Sequence, residues 1–408
     1  MLSKSIEIEV KAIIEKVRQE GDAALIEYTK RFDRTDIESI RLPLESISDS
    51  KTEVSASFKK TISEAIDNIT AYHVNQLPKN FEITRDSGVV MGQRILPLSR
   101  VALYIPGGTA IYPSTVLMNA IPARIAGVKE IVVLSPPDSN GELNPHVLYA
   151  CHLLGITEIY RIGGAQAIAA ASYGTESIKK VDKIVGPGNQ YVTMAKKMVF
   201  GDVAIDMIAG PSEIAVIADS TASPAFIASD LMAQAEHDAN ARLFLITTDE
   251  NIAKAVIEEL RVQCPKMSRS DIISKVLDQN FEIQLATTID ECITIANSIA
   301  PEHLELAIES PFDYLDDVIN AGAIFLGHYT PETLGDYYAG TNHTLPTNGT
   351  ARFSSPLGVY DFIKRPSYLY YTAEALKAVS TSVQEFADIE GLTAHKNALE
   401  VRNHAGKK

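Results

Sequence analysis

The sequence predicts a mixed α/β protein built on parallel sheets. Short β-branched runs alternate with helical patterns between about residues 100 and 327, often with glycine at the joins. Such alternation with short connections is typical of parallel sheets with right-handed crossovers. The chain has 408 residues, more than one hydrophobic core usually organises, so we expect at least two domains.

The predicted strands form two successive sets, separated by helices. The strands of the first set are 100–106, 130–136, 158–164, 183–188, 203–207 and 213–219, and those of the second are 241–247, 282–288, 304–309 and 321–327. The helices between them are 113–127, 146–154, 164–173, 188–200, 222–238, 249–263, 289–299 and 311–319. Residues 1–78 and the segment after residue 372 are also predicted to be helical, and no sequence repeat demonstrates a duplication.

Composition excludes several classes of protein. The 52 acidic and 37 basic residues give a net charge of −15, which argues against a nucleic-acid partner. The three cysteines lie far apart and form no C-x-x-C, so neither a disulfide framework nor a thiolate zinc site is indicated. The N-terminus has the pattern of an amphipathic helix rather than a signal peptide, and no apolar stretch is long enough for a membrane span. We therefore expect a soluble, cytoplasmic protein.

Two glycine-containing loops are candidates for binding an anionic group. The loops 105–110 (IPGGTA) and 184–189 (IVGPGN) each follow a strand and precede a helix, where backbone N–H groups can hold a phosphate. Neither contains the G-x-G-x-x-G pattern of dinucleotide-binding folds. Ordinary strand–helix turns are the alternative interpretation.

Four residues are candidates for a metal site with nitrogen and oxygen donors. Gln234 and His237 are spaced i, i+3 on a predicted helix and so project from one face. Asp336 in a predicted loop and His395 in the C-terminal helical segment are the other donors. Such a set suits zinc or another borderline divalent metal. A histidine that caps the helix or lies on the surface is the alternative.

Glu302 and His303 are candidates for catalysis. Adjacent residues on a regular element do not face one another, so we expect these two side chains to serve different atoms or different steps. A helix start followed by a surface histidine is the alternative. His343 could bind substrate or support Asp336, and Cys151 and Cys292 are predicted to be buried structural thiols.

Several longer segments together resemble one known family. The segments, in chain order, are YIPGGTAIYPSTVLM, RIGGAQAIAA, VGPGN, IDMIAGPSEIAVIAD, AQAEH, APEHLE, GTNHTLPT and EGLTAHKNA. Between about residues 100 and 400 they closely resemble the histidinol dehydrogenase family, whose members use zinc and NAD in histidine biosynthesis.

The resemblance implies a fold of two incomplete Rossmann-like units, one inserted in the other, with small helical N- and C-terminal pieces. The implied domains are an N-terminal piece (1–24), a main α/β domain with the metal and catalytic residues (25–104 and 213–357), an inserted NAD-binding α/β domain (105–212) and a C-terminal helical piece (358–408). That last piece is expected to be exchanged between the subunits of a homodimer with shared active sites.

The resemblance also implies a role for each candidate residue. The zinc ligands, one ion per subunit, would be Gln234, His237, Asp336 and His395, and the catalytic pair would be Glu302 and His303. The substrate contacts would be Ser212, Gln234, His237, His303, Asp336, Glu390 and His395. The NAD contacts would be Tyr104, Gln166 and Asn189.

The implied reaction is the two-step, four-electron oxidation of L-histidinol, through L-histidinaldehyde, to L-histidine with two NAD⁺. His303 would be the base for the alcohol step, because imidazole titrates near neutrality, and Glu302 would activate water for the aldehyde step. Zinc would mainly position the substrate. A related zinc- and NAD-dependent enzyme acting on another polyol or a sulfonated diol, and a non-catalytic binding protein, are the alternatives. The choice between zinc and manganese stays open.

Overall fold

The chain divides into two compact units in a computed structural model that describes residues 4–107 and 111–404. The first unit comprises Met1–Leu77 and Leu98–Phe362, and the second comprises Pro78–Pro97 and Ile363–Lys408. Residues 108–110 of the first glycine-containing loop lie outside the described residues. The division of the chain into a main and an inserted domain stays a prediction.

Four helices open the first unit, as the sequence predicts. They are α1 (Lys4–Glu20), α2 (Asp22–Phe32), α3 (Leu44–Glu53) and α4 (Ala56–His73). Helix α1 buries Ile6, Val10, Ile13, Ile14 and Val17 in the same core as the first parallel sheet. Ile8 is 70% exposed, because its position falls outside the i, i+3, i+4 stripe.

The first parallel sheet has five strands connected by helices. In chain order the elements are β4 (Arg100–Tyr104), α5 (Pro113–Ala126), β5 (Glu130–Ser135), α6 (Pro145–Leu153), β6 (Glu158–Arg161), α7 (Gly164–Tyr173), β7 (Lys183–Val185), α8 (Gln190–Val199) and β8 (Ala204–Ile205). Every residue of β4 is buried. The strand order is β6-β5-β4-β7-β8, which places the first strand of the set at the centre.

The second parallel sheet repeats this arrangement. Its elements are β9 (Glu213–Ala218), α9 (Pro224–Ala235), β10 (Arg242–Thr247), α10 (Glu250–Gln263), α11 (Ser270–Gln279), β11 (Phe281–Leu285), α12 (Ile289–Ile299), β12 (His303–Ala307), β13 (Ala323–Leu326) and α13 (Glu332–Tyr337). The order is β11-β10-β9-β12-β13, with β9 fully buried at the centre. Both sheets thus have five of the six strands of a Rossmann sheet in the Rossmann order, and the predicted α/β class is confirmed.

The second unit contains short antiparallel strands and two helices. The elements are β1 (Phe81–Thr84), β2 (Val90–Gln93), β3 (Leu96–Pro97), β14 (Ile363–Lys364), β15 (Ser367–Tyr370), α14 (Ala373–Ile389) and α15 (Thr393–His404). Strand β2 pairs with β1 and β15, and β3 pairs with β14. The two helices agree with the prediction from the sequence, whereas the sequence does not predict these strands. They are two to four residues long and half-buried or exposed, so they have no clear apolar alternation.

One predicted helix has a different form in the structure. Residues Pro311–Asp317 form a 3-10 helix instead of the α-helix expected at 311–319. Further 3-10 turns lie at Val74–Gln76, Cys264–Lys266, Thr350–Arg352 and Val359–Phe362. Among the described residues, no helix is long and apolar enough to cross a membrane.

Candidate active site

The candidate catalytic residues lie at the amino edge of the second parallel sheet. Glu213 begins β9 and His303 begins β12, and the two strands are parallel neighbours in which His303 pairs with Ile214. Glu302 immediately precedes β12. The structure therefore places His303 at a strand start, and the alternative of a helix start with a surface histidine is wrong.

The backbone of Glu213 orients both catalytic side chains. Its N–H group donates to Oε2 of Glu302 at 2.9 Å, and its carbonyl oxygen lies 3.1 Å from Nδ1 of His303. A carbonyl can only accept, so Nδ1 carries the hydrogen and Nε2 of the neutral ring keeps its lone pair. Nε2 is buried and has no hydrogen-bond partner in the described residues. This is the atom that is available to take a proton.

Three buried carboxylates surround the imidazole of His303. Nδ1 lies 3.9 Å from Glu302 Oε2 and 3.6 Å from Glu332 Oε2, and Nε2 lies 3.8 Å from Asp336 Oδ1. The approach of Glu302 to His303 differs from the expectation that the two adjacent side chains point apart. Glu302 precedes β12, so the alternation of side chains along a strand does not apply to it. At 3.9 Å the two groups are not hydrogen-bonded to each other.

The buried charges shift the pKa values of the catalytic pair. Burial lowers the pKa of His303, but the carboxylates of Glu302, Glu332 and Asp336 outweigh burial and raise it to about 10. Burial raises the pKa of Glu302 to about 7, although His303 opposes this shift. The pKa shift of His303 thus reflects the excess of buried carboxylates, and that of Glu302 chiefly reflects burial.

Glu332 holds the amide of Gln234. Gln234 lies in the last turn of α9, and its amide is satisfied in the orientation in which nitrogen donates to the Glu332 carboxylate at 2.8 and 3.0 Å. The amide oxygen then accepts from the Glu213 N–H group at 3.2 Å. Glu332 is 0% exposed. This orientation of the amide turns its oxygen, the atom that can bind a metal, away from Glu332.

The other candidate residues of the first unit lie around this cluster. Asp336 is one helical turn after Glu332 in α13, and its carboxylate interacts electrostatically with His237, which follows the end of α9. Ser212 precedes β9, and its carbonyl accepts from Arg242 N–H at 2.9 Å. Nδ1 of His343 lies 3.0 Å from the carbonyl oxygen of Asp336. Of the two roles expected for His343, this contact corresponds to the support of Asp336.

Two candidates lie in the second unit. Glu390 follows α14, and His395 lies in the first turn of α15; both are exposed in the chain. Among the described residues, no group of three or more His, Cys, Asp and Glu side chains is arranged to hold a metal. Of the predicted ligands, Gln234, His237 and Asp336 belong to the first unit. Gln234 is an amide and so is not one of these four residue types, which leaves only His237 and Asp336.

The three candidate cofactor residues belong to the first parallel sheet. Tyr104 ends β4, and its buried hydroxyl accepts from Gly164 N–H at 3.1 Å. Gln166 in α7 is buried, and its Oε1 has no hydrogen-bond partner among the residues that the structure describes. Asn189 caps α8, since its Oδ1 accepts from the N–H groups of Tyr191 and Val192. Tyr104 is the last residue of β4, and Asn189 lies in the loop after the neighbouring strand β7. The strand order of the sheet reverses between these two strands, and α/β proteins bind nucleotides at the carboxyl ends of the strands at such a point.

All three cysteines are buried, as predicted for Cys151 and Cys292. Burial raises the pKa of Cys151 to about 12 and that of Cys292 to about 11. A thiol with so high a pKa is a poor nucleophile at neutral pH. The chemistry of the site therefore rests on oxygen and nitrogen groups.

The comparisons with known proteins agree with this geometry. The model of the histidinol dehydrogenase family matches residues 2–403. The chain belongs to the histidinol dehydrogenase family. A histidinol dehydrogenase of Clostridium acetobutylicum is 52% identical over 393 residues, which cover 96% of this chain and 91% of that protein. One from Listeria innocua is 52% identical over 400 residues, covering 98% and 93%.

A solved structure extends the likeness to the fold. The crystal structure of histidinol dehydrogenase from Elizabethkingia anophelis has a TM-score of 0.95 and 42% identity, and the match covers 100% of this chain and 94% of that one. The family expected from the sequence segments is thus confirmed, and with it an NAD-dependent oxidoreductase of histidine biosynthesis. The alternatives of another alcohol substrate and of a non-catalytic protein receive no support from these relatives.

Sequence reasoning about this histidinol dehydrogenase family member missed Glu332 and the backbone of Glu213. Glu332 could have been found, because it precedes Asp336 by four residues and so lies on the same face of the helix. Glu305, whose Oε1 accepts from Glu332 N–H at 2.9 Å, lies two residues after His303 on the same side of β12. The role of Glu213 depends on its main chain, which leaves no signal in the side-chain pattern.

We predict that Gly322→Ala impairs catalysis while the protein stays folded. A Cβ atom at residue 322 would collide with the carbonyl oxygen of Glu302, so the backbone of the catalytic pair must move. A displacement of about 1 Å can cost about 100-fold in rate. We expect kcat for NADH formation with L-histidinol to fall by on the order of 10- to 100-fold.

Gly327→Ala is the matched control. Gly327 follows the other end of β13 and has a φ of +85°, so alanine there strains the backbone without approaching Glu302. It should lower the melting temperature and leave kcat near the parent value. Equal loss of activity in both variants would contradict the steric argument.

Proposed function

We propose that this protein oxidises L-histidinol, through L-histidinaldehyde, to L-histidine, with two NAD⁺ per substrate, as a zinc-dependent cytoplasmic homodimer. The observation that carries the proposal is the buried His303, whose Nδ1–H is held by the Glu213 carbonyl and whose Nε2 is unpaired. A second, separately oriented acid–base group, Glu302, lies beside it. Membership of the family supplies the substrate and the electron acceptor.

His303 acts in the first step. Nε2 takes the proton of the substrate hydroxyl as the carbon loses its hydride, and NAD⁺ is the hydride acceptor in both steps. In the neutral ring, the Glu213 carbonyl selects the tautomer that this transfer requires. The surrounding carboxylates raise the pKa of His303 to about 10 and so favour the protonated ring; a cation bound among them would lower that pKa and favour the neutral base. The neighbouring carboxylates stabilise the imidazolium ion that forms.

Glu302 acts in the second step. An aldehyde has no hydroxyl proton to lose, so water must first add to the carbonyl carbon. Glu302 takes a proton from that water as its oxygen adds to the carbonyl carbon, and the resulting gem-diol anion loses its hydride to NAD⁺ to give the carboxylic acid. Burial raises the pKa of Glu302 to about 7, close to that of an effective general base at neutral pH. The buried thiols leave this route without a competing cysteine nucleophile.

The residues present are suited to a zinc ion. Gln234, His237 and Asp336 would bind it together with His395, and the excess of buried carboxylates around His303 favours a nearby cation. Glu332 orients the Gln234 amide so that its oxygen faces away from the carboxylate and towards the Glu213 N–H group, and the second lone pair of that oxygen can bind a metal. Bound zinc would hold the amine and imidazole nitrogens of L-histidinol. Ser212 and Glu390 are proposed to contact the same substrate.

The first parallel sheet is suited to NAD. The carboxyl ends of β4 and β7, with the N-termini of α7 and α8, offer N–H groups and positive dipole ends to a pyrophosphate. The unpaired Oε1 of Gln166 can accept a hydrogen bond from the cofactor. The hydroxyl of Tyr104 and the side-chain nitrogen of Asn189 are proposed as the other contacts.

The surface of the second unit favours a homodimer with shared active sites. Helix α14 exposes Phe386 by 71% and Ile389 by 77%, and strand β15 exposes Leu369. Large exposed apolar side chains such as Phe386 and Ile389, which are three residues apart on α14, are typical of a surface that another chain covers. His395 and Glu390 are exposed in the same unit, and we propose that they complete the active site of the partner subunit.

The first test is the stoichiometry of the complete reaction. Zinc-loaded protein with limiting L-histidinol and excess NAD⁺ should yield two NADH and one L-histidine per substrate, measured by absorbance and by chromatography. One NADH with free aldehyde would contradict the second step. No turnover with zinc bound would contradict the substrate, and a panel of polyols and sulfonated diols would then be tested.

We predict that His303→Asn and Glu302→Gln impair different steps. His303→Asn removes the base, so oxidation of L-histidinol should fall by about 100-fold or more. Glu302→Gln should chiefly slow oxidation of L-histidinaldehyde, measured with the aldehyde supplied as substrate. Equal loss of both half-reactions in each variant would contradict this division of roles.

Mixed dimers test the shared active site. His395→Ala and His303→Asn should each be nearly inactive alone, and His395→Ala should also bind zinc more weakly in a chelator competition. If His395 serves the partner subunit, a hybrid dimer of the two variants contains one site with both residues intact. Activity recovered on mixing and reassembly supports the exchange, whereas hybrids without activity contradict it.

A further inference from the structure

A buried ion pair whose two residues have no assigned role lies in the region of the first parallel sheet. Lys196 in α8 pairs with Asp206, which follows β8, and their side chains are 3% and 1% exposed. Burial of two charges costs several kcal/mol each in desolvation, and such a pair is often no more stabilising than apolar side chains of equal size. The contacts of this pair therefore need an explanation other than stability.

The pair binds both backbone polar groups of a single residue. Nζ of Lys196 donates to the carbonyl oxygen of Gly186 at 2.9 Å, and Oδ2 of Asp206 accepts from the Gly186 N–H group at 2.7 Å. Gly186 is the first residue after β7 and has a φ of +114°. The ion pair thus binds both peptide units that meet at the Cα atom of Gly186.

Gly186 also lies against Tyr104, one of the proposed NAD contacts. A Cβ atom on Gly186 would collide with the carbonyl oxygen of Tyr104, so the two backbones are in close contact at the carboxyl ends of β4 and β7. Three residues later, Asn189 begins α8. The position of Gly186 therefore determines where the 186–189 loop begins relative to Tyr104.

We infer that Lys196 and Asp206 are positioning residues for NAD⁺, which hold the 186–189 loop at the distance from Tyr104 that the dinucleotide requires. This inference rests on the proposed NAD site. The pair does not touch the cofactor; it acts by fixing the peptide of Gly186. The loop would otherwise have an unbound N–H group and carbonyl at its first residue and would sample several positions.

The same carboxylate contacts the segment that leads to the catalytic site, but that segment has its own supports. Asp206 Oδ1 accepts from Met207 N–H at 2.7 Å. Further along, Gly210 N–H donates to Thr347 Oγ1 at 2.5 Å, and the Ser212 carbonyl accepts from Arg242. Loss of the ion pair should therefore weaken the binding of NAD⁺ and leave that of L-histidinol unchanged.

The test is the double variant Lys196→Met/Asp206→Asn in the zinc-loaded protein. It removes both charges together and so leaves neither one buried without a partner. We expect the Kd for NAD⁺, measured by calorimetry, to rise about tenfold, which corresponds to about 1.4 kcal/mol. The KM for NAD⁺ should rise in parallel, whereas the KM for L-histidinol should stay within about twofold of the parent value.

The matched control is Arg100→Met/Glu158→Gln. Arg100, which is buried, and Glu158, which is half-buried, form an ion pair at the opposite, amino edge of the same sheet. This control should lower the melting temperature without changing the Kd for NAD⁺. A test variant that binds NAD⁺ like the parent, or a control that weakens binding equally, would overturn the inference.

The single variant Asp206→Asn covers the case in which the double variant does not fold. It keeps the size of the side chain, removes the charge that pairs with Lys196, and leaves one amide oxygen for the two N–H groups of Gly186 and Met207. A rise in Kd is therefore expected, and an unchanged Kd would overturn the inference. If the parent protein itself does not bind NAD⁺, the proposed cofactor site is wrong, and the inference is wrong with it.

Discussion

The candidate catalytic site depends on the position of the backbone of one residue, Glu213, at the start of the central strand β9. Its N–H group serves Glu302 and Gln234, and its carbonyl fixes the ring of His303. The register of β9 and β12 sets these distances, because His303 is paired with Ile214. A shift by one residue would turn the imidazole to the other face of the sheet. The hydrophobic core around both strands therefore also maintains the geometry of the acid–base groups.

The two parallel sheets have the same strand order but use opposite edges. The carboxyl edge of the first sheet, where helices begin, has the positive partial charge that suits phosphates. The catalytic residues lie at the amino edge of the second sheet, where helix α9 ends beside Gln234 and its terminal carbonyls favour a cation. Residues 206–212 run from the end of β8 to the start of β9, so the chain itself connects the two edges.

Much of this organisation could be predicted from the sequence. The same physical reasons explain why some strands and side-chain contacts could not be predicted. The strands of the parallel sheets are continuous buried runs such as 213–218, and the helices between them have clear apolar faces, so both were found. The family segments identified His303, Glu302 and the donors of the proposed zinc site. Short exposed strands such as β1 and β15 have no comparable pattern. The approach of Glu302 to His303 and the function of the Glu213 peptide depend on tertiary pairing, which no local pattern contains.

The buried thiols have a consequence for an enzyme that produces an aldehyde. Free aldehydes add reversibly to exposed thiolates and form thiohemiacetals, which would divert the intermediate and block the protein that makes it. Cys151, Cys264 and Cys292 are enclosed in the interior. Where burial keeps a thiol protonated, as for Cys151 and Cys292, it also removes the reactive form. The packing of these side chains thus protects the protein from covalent modification by its own intermediate.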